Sequence, residues 1–394
     1  MALLSALMIS VQEAEAVIKA QWLPPRTESI PIAKCAGRVL AEPIYADRDY
    51  PPINRVMVDG IAINYAAYAA GQRRFRVAGM AAAGVSAATL ADPQQCFEVM
   101  TGCPLPLGSD LVVPYEQIRI EQGVATITYE VERSRGDFIH RQGSDCIAGA
   151  LVLHPGITLK SVHIGILASF GYSHVQVEAA PRIKLVATGD ELVSIEQTPT
   201  PYQLRCSNAY ALRAALLAYG YTEVEIDHIP DDSASIIAHY QTNTQSYDLL
   251  IYTGGISKGK RDYLPRIWQH CGVTAYIHGV AQKPGKPMWF GIDHQANTIV
   301  WGLPGNPVSA LVCLHRYLLN CTVYSGYLGE TITFEPNLTF FVPAKLGSNQ
   351  ALTLIMPQSS GDFVALATSD GFVELPQDQV VFKAGEVFLF YPWY

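Results

Sequence analysis

Ile183-Lys-Leu-Val-Ala-Thr-Gly-Asp-Glu191 decides the reading of the fold, because a short, β-branched, unalternated run passes straight into a turn of glycine and carboxylates. Residues 249–253 and 298–301 are runs of the same kind, followed by Gly254-Gly-Ile-Ser-Lys-Gly259 and Leu303-Pro-Gly-Asn-Pro307. Such runs are expected of parallel strands covered on both faces by helices. A fourth loop, Lys283-Pro-Gly-Lys286, is read with them as following a buried strand. Ligands of such sheets sit outside the carboxyl ends of the strands. Glycine lets backbone N–H groups approach an anion, and Asp, Glu and Lys beside it hold metal and charge. The block therefore reads as a site for a large anionic ligand.

Working outward, 394 residues exceed what one hydrophobic core usually serves. Hydrophobic residues make up 49% of the chain and charged residues only 16%, against about 25% in typical soluble proteins, so surface is expected to be buried between subunits. The net charge of −8 argues against a nucleic-acid partner, whose phosphates need clustered cations. The eight cysteines form neither a Cys-x-x-Cys pair nor a disulfide framework. His228, His278, His294 and His315 share no metal-binding spacing. The apolar opening lacks a basic n-region and runs into Ser10-Val-Gln-Glu13, a capping-box helix start. No segment has the roughly 18 charge-free apolar residues of a membrane span. The expectation is a cytoplasmic protein with no membrane and no nucleic-acid partner.

The fold class expected is multidomain α/β: a doubly wound α/β domain, an inserted β-rich domain and a C-terminal β-barrel. Strand and helix patterns alternate over 181–330, with helices predicted at 207–219, 233–245, 262–270 and 307–319 and a Ser207-Asn208 cap opening the first. Residues 46–145 read as the β-rich insertion, many short strands punctuated by glycine. Residues 1–45 with 146–180 then form a mixed N-terminal domain, with helices at 10–20 and 162–170. Residues 331–394, with turns at Gln358-Ser-Ser-Gly361, Ser369-Asp-Gly371 and Lys383-Ala-Gly385, read as a small barrel.

Further words accompany the loops: Ala36-Gly-Arg-Val-Leu-Ala41, Asp59-Gly60, Met100-Thr-Gly-Cys-Pro-Leu-Pro-Leu-Gly108, Gly143-Ser-Asp145, Ser207-Asn208 and Lys283-Pro-Gly-Lys-Pro287. In this order and spacing, the chain resembles the molybdopterin molybdenumtransferase family, MoeA in bacteria and the E domain of gephyrin. The resemblance implies an enzyme that takes adenylylated molybdopterin and molybdate, cleaves the pyrophosphate link with Mg²⁺, and releases molybdenum cofactor and AMP. It implies catalytic roles for Asp59, Thr101, Asp145 and Glu191, and a metal held by Asp59, Glu191 and Asp262. Substrate contacts are implied for Asp231, Ser257, Asp262, Lys283, Lys286, Pro304, Asn306 and Pro307. It also implies a homodimer in which first-half residues face the α/β block of the other copy.

The chemistry is consistent with these residue types. Lys283 and Lys286 supply cations for an oxyanion and a pyrophosphate. Carboxylates repel such anions, so a carboxylate-held Mg²⁺ is the consistent intermediary. Structural readings stand beside these roles: Asp59-Gly60 and Asp145 as turn residues, Asp190 or Glu191 as a helix cap, Pro304-Gly-Asn-Pro307 as a strand-to-helix turn. Asp231 is equally a helix N-terminus.

The chain departs from the family pattern at Val56-Met57-Val58, Ile61, His140, Ser144, Lys260 and Gly279. Ser144 and Lys260 remove two carboxylates and add a cation, whereas His140 and Gly279 remove up to two cations. Retained chemistry with altered substrate contacts is the expectation. Two rivals remain: a non-catalytic molybdopterin carrier or scaffold, and the adenylyltransferase that prepares the substrate. The long first half and the C-terminal β block argue against the second.

Overall fold

The three apolar runs lie in one six-stranded sheet, ordered Val224–Ile229, Ile183–Thr188, Leu249–Thr253, Thr298–Leu303, Trp289–Asp293 and Thr274–His278. The first four strands run parallel, Trp289–Asp293 runs opposite to them, and Thr274–His278 is antiparallel to Trp289–Asp293. Every residue of Ile183–Thr188, Leu249–Thr253, Trp289–Asp293 and Thr298–Leu303 is buried. Alternate side chains go to opposite faces. Leu185, Ile251 and Trp301 join a core with helices Val11–Gln21, Ser207–Ala218 and Pro307–Tyr317. Val186, Tyr252 and Val300 join another with Ser233–Asn243 and Leu264–His270. Helices on both faces explain why the strands carry no polar alternation.

This computed structural model describes residues 8–129, 131–256, 263–319 and 321–394. They divide into two compact units, Thr27–Glu178 and the chain up to Arg26 together with Ala179–Tyr394. Among the described residues no helix is long and apolar enough to cross a membrane.

In the α/β unit, helix Val11–Gln21 carries the expected capping box, with the Ser10 side chain accepting from Glu13 N and Glu13 reaching back to Ser10 N. Its buried stripe Val11, Ala14 and Ile18 packs on the α/β core, guided by a bridge between Ile9 and Val280. Grouping residues 1–45 with 146–180 therefore does not describe where this helix packs. The expected barrel is a closed ring of Thr339–Leu346, Ala351–Leu354, Tyr324–Leu328, Val387–Pro392 and Gly371–Leu375. Gln282–Lys283 adds to it, parallel to Thr339–Phe340. The Lys283 loop thus follows the edge strand Thr274–His278, which is held by antiparallel pairing and only partly buried, and it joins the barrel sheet.

The other unit is nested. Thr27–Pro31 pairs with His174–Glu178, Ile44–Tyr45 with Leu151–Leu153, and Arg55–Val56 with Ile139–His140, all antiparallel. Inside lies a six-stranded sheet in the order Leu111–Pro114, Gly60–Ile63, Gln95–Val99, Arg74–Ala81, Val124–Ile127 and Ile118–Glu121.

Candidate functional site

Register brings three loops to one edge of the parallel sheet. Ala187 pairs with Thr253 and Thr253 with Leu303, so the segments that begin at Thr188, Gly254 and Pro304 leave side by side. They border a cleft of about 520 Å³ lined by Thr188, Glu191, Asn208, Gly254, Asn306 and Pro307. That volume lies within the ordinary range for small-molecule sites. Gly254 has φ +95°, and a Cβ there would lie 2.7 Å from the Thr188 carbonyl oxygen, so only glycine lets the two loops approach. A Cβ on Gly189 would meet Glu191 Oε1 at 2.8 Å, which shows the carboxylate folded back across the turn.

The third loop is tied from two sides. Asn208 Nδ2 donates to the Gly305 carbonyl at 2.7 Å, and Asn306 Nδ2 donates to Ser360 Oγ at 2.6 Å. The Ser207-Asn208 cap expected for helix Ser207–Ala218 is not formed: its N-cap is Cys206, without a side-chain cap bond, because Asn208 is engaged with the neighbouring turn. Gly361 and Phe363, from the barrel end of the chain, complete the cleft wall. Sequence reasoning read Gln358-Ser-Ser-Gly361 only as a turn, since nothing local marks a residue that reaches another loop.

Asp231, Lys283, Lys286 and Pro304, also expected at the site, are not among the residues that line this cleft. Pro304 is buried in the turn, ahead of the helix that opens on Pro307. Lys283 is exposed and lines a smaller neighbouring recess with Ser359 and Ser360, its Nζ 5.5 Å from the Phe334 ring centroid. Lys286 is exposed three residues on. Asp231 N donates to Asp190 Oδ1 at 3.1 Å, and the cap of the following helix is Asp232, which accepts from Ala234 N and Ser235 N. Ser257, Lys260 and Asp262 lie outside the described residues. Gly279 has φ +102°, a backbone that disfavours the lysine of the family pattern.

In the nested unit, the two-residue strand Arg55–Val56 organises the rest. Val56 N donates to Cys103 O and Gly102 N to Val56 O, which presents Thr101. The Thr101 amide and hydroxyl both donate to Asp59 Oδ1, each at 2.6 Å. The hydroxyl bond, with the amide bond behind it, holds the Asp59 carboxyl below its ordinary range. Gly60 has no room for a side chain, since a Cβ would fall 2.0 Å from Val113 O. On the other side of the strand, Arg55 pairs across from His140. His140 Nε2 lies 2.7 Å from Asp145 Oδ1, and Ser144 Oγ donates to the same oxygen at 3.1 Å. The His140 bond leads in depressing the Asp145 carboxyl. Val56, where the family pattern has a hydroxyl, is buried among Ala62, Val99 and Val112.

Asp59 belongs to one unit and Glu191 to the other, and among the described residues no three His, Cys, Asp or Glu side chains gather as a metal-binding group. The donor set that faces the cleft is one exposed carboxylate, Glu191, to which no described residue donates. Mg²⁺ keeps several waters and is usually held by one or two carboxylates together with substrate phosphates. A single hard-oxygen donor beside a cleft of about 520 Å³ fits that ion.

Residues 9–171 match the MoeA N-terminal region (domain I and II), 184–321 a probable molybdopterin binding domain, and 325–393 the MoeA C-terminal region (domain IV). The chain is 48% identical over 390 residues to the molybdopterin molybdenumtransferase of Synechocystis sp., covering 98% of this chain and 100% of that one. It is 30% identical to the molybdopterin molybdenumtransferase of Bacillus subtilis over 91% of this chain and 88% of that one. The crystal structure of a molybdopterin biosynthesis MoeA protein from Pyrococcus horikoshii shares the fold, with a TM-score of 0.83 at 24% identity, over 98% of this chain and 99% of that one. Identity of this degree along the whole length, with the three matched regions in chain order, places the chain in the MoeA family.

Proposed function

We propose that this chain is a molybdopterin molybdenumtransferase of molybdenum cofactor biosynthesis, working on adenylylated molybdopterin and molybdate with release of AMP. The observation that carries the reading is the cleft at the carboxyl ends of the parallel strands, with Glu191, Asn306 and Pro307 on its wall, in a chain 48% identical throughout to such an enzyme. The substrate's pyrophosphate lies along the loops that begin at Thr188, Gly254 and Pro304, where glycines admit it to backbone N–H groups. Glu191, with Asp262 and with Asp59 of the other copy, would hold Mg²⁺, which would neutralise charge on the phosphates and polarise the phosphoryl oxygens. Lys283 and Lys286 attract and position the anionic groups. Ser257, Asp231 and Pro304 contribute to the substrate wall. Thr101 orients Asp59, and Asp145 presents a second carboxylate to the reacting end of the substrate. The dithiolene sulfurs displace a molybdate oxygen, which leaves with the two thiol protons as water, and a water adds across the phosphoanhydride, so that the pterin keeps its own phosphate and AMP leaves.

The enzyme acts in the cytoplasm as a homodimer, the Asp59, Thr101 and Asp145 groups of one copy meeting the cleft of the other. The resemblance of the motifs supports this, as does a charged content of 16% that leaves much apolar surface to cover. Purified protein given adenylylated molybdopterin, Mg²⁺ and molybdate should form AMP and active cofactor together. Glu191→Gln should lower that turnover by about a hundredfold or more while the melting temperature stays unchanged. Tight pterin binding without molybdate-dependent AMP would instead make the protein a carrier.

A further inference from the structure

His140 sits between two groups that leave it one arrangement. Arg55 Nη2 lies 3.1 Å and Nε 3.3 Å from His140 Nδ1. A guanidinium has donors and no acceptor, so Nδ1 must offer its lone pair. The ring proton is then on Nε2, which faces Asp145 Oδ1 at 2.7 Å. Arg55 and His140 are direct cross-strand partners, so backbone register fixes the first contact. The second is set by the turn after the strand, where Asp145 N donates to Tyr50 O at 3.0 Å.

The geometry points to His140 as a positioning residue for Asp145, an inference that rests on Asp145 acting in the reaction. Oδ1 takes both the His140 Nε2–H and the Ser144 hydroxyl, and Oδ2 accepts no hydrogen bond among the described residues. One carboxylate oxygen is spent on orientation, and the other keeps its lone pairs for substrate. The strand that carries Arg55 also holds the Thr101 loop through Gly102 N and Cys103 O, so the Asp145 and Asp59 pairs are referred to one segment of backbone. A histidine here passes the influence of Arg55 to Asp145 through a neutral ring.

Four variants and one spectrum test this. Glutamine reproduces both ring roles, an amide oxygen for Arg55 and an amide N–H for Asp145, whereas leucine reproduces neither. His140→Leu should lower kcat by about ten- to a hundredfold, the scale of a misplaced catalytic group, with KM for adenylylated molybdopterin little changed. His140→Gln should restore most of that loss, and both variants should melt with the wild type. In ¹⁵N-histidine spectra of the whole protein, His140 should show the Nε2–H tautomer and lose that preference in Arg55→Leu. Full turnover by a folded His140→Leu, or an Nδ1–H tautomer in the wild type, would overturn the assignment. Asp145→Asn separates the two readings: if it turns over normally, the role of Asp145 itself is wrong; if it is inactive while His140→Leu is fully active, only the positioning role is.

Discussion

Asp59 and Thr101 show how one residue's chemistry is set by another. With the Thr101 amide and hydroxyl both on Oδ1, the Asp59 carboxyl stays ionised to lower pH than usual and its second oxygen is left for a ligand. Thr101→Val keeps the amide bond and the shape but deletes the hydroxyl bond. The loss leaves Asp59 less firmly oriented, so kcat/KM for AMP release should fall about ten- to a hundredfold, the scale of a misplaced catalytic group, and Thr101→Ser should recover it. Undiminished release by the valine variant would remove Thr101 from the site. Both residues were legible in the sequence as family words. Their contact was not, because 42 positions separate them. Asn208 was legible as a family word and a helix cap but not by its contact, since its partner, the Gly305 carbonyl, lies 97 residues away.

At the scale of elements, the strands were the most legible part of the chain. Burial on both faces writes itself into composition as a run without polar alternation, and Ile183–Thr188, Leu249–Thr253 and Thr298–Leu303 formed where such runs stand. The Lys283 loop shares their glycine but not their surroundings, because Thr339–Phe340 offers it a pairing edge from the barrel. Helix Pro307–Tyr317 adds a second consequence of burial. Its His315 is 2% exposed, edge-on to Tyr219 and Trp393, and burial pushes its pKa from 6.5 down to about 4. The folded state prefers the neutral ring, so this contribution to stability is complete above about pH 6.5 and is lost as pH falls toward 4. Between pH 7 and pH 5 the loss should be about 2 kcal/mol. Urea midpoints measured at both values should show a smaller acid loss for His315→Leu than for the wild type; equal losses would mean His315 is not the group responsible.

At the scale of the molecule, charge holds the elements of the α/β unit to one another. Arg316, on the helix after the Asn306 turn, reaches Glu15 of the N-terminal helix at 2.9 Å and Glu374 of the barrel at 2.8 Å. The proposed sharing of a site between two copies belongs to this scale as well. Asp59→Asn and Glu191→Gln should each be inactive, yet equal amounts of the two, exchanged as dimers, should regain about a quarter of wild-type turnover, because one heterodimer site in two receives both intact groups. Mixed dimers without recovery would assign all the groups to a single copy. The sequence by itself determined the doubly wound sheet, the glycine-bearing loops at its carboxyl ends and the MoeA order of motifs, because burial, glycine and spacing are local and are carried by residue type. Only the tertiary structure decided that helix Val11–Gln21 packs on the α/β core, that Ser360 reaches Asn306, and that Arg55, His140 and Asp145 line up. These depend on register and loop path between residues far apart in the chain, and no periodicity in the sequence records them.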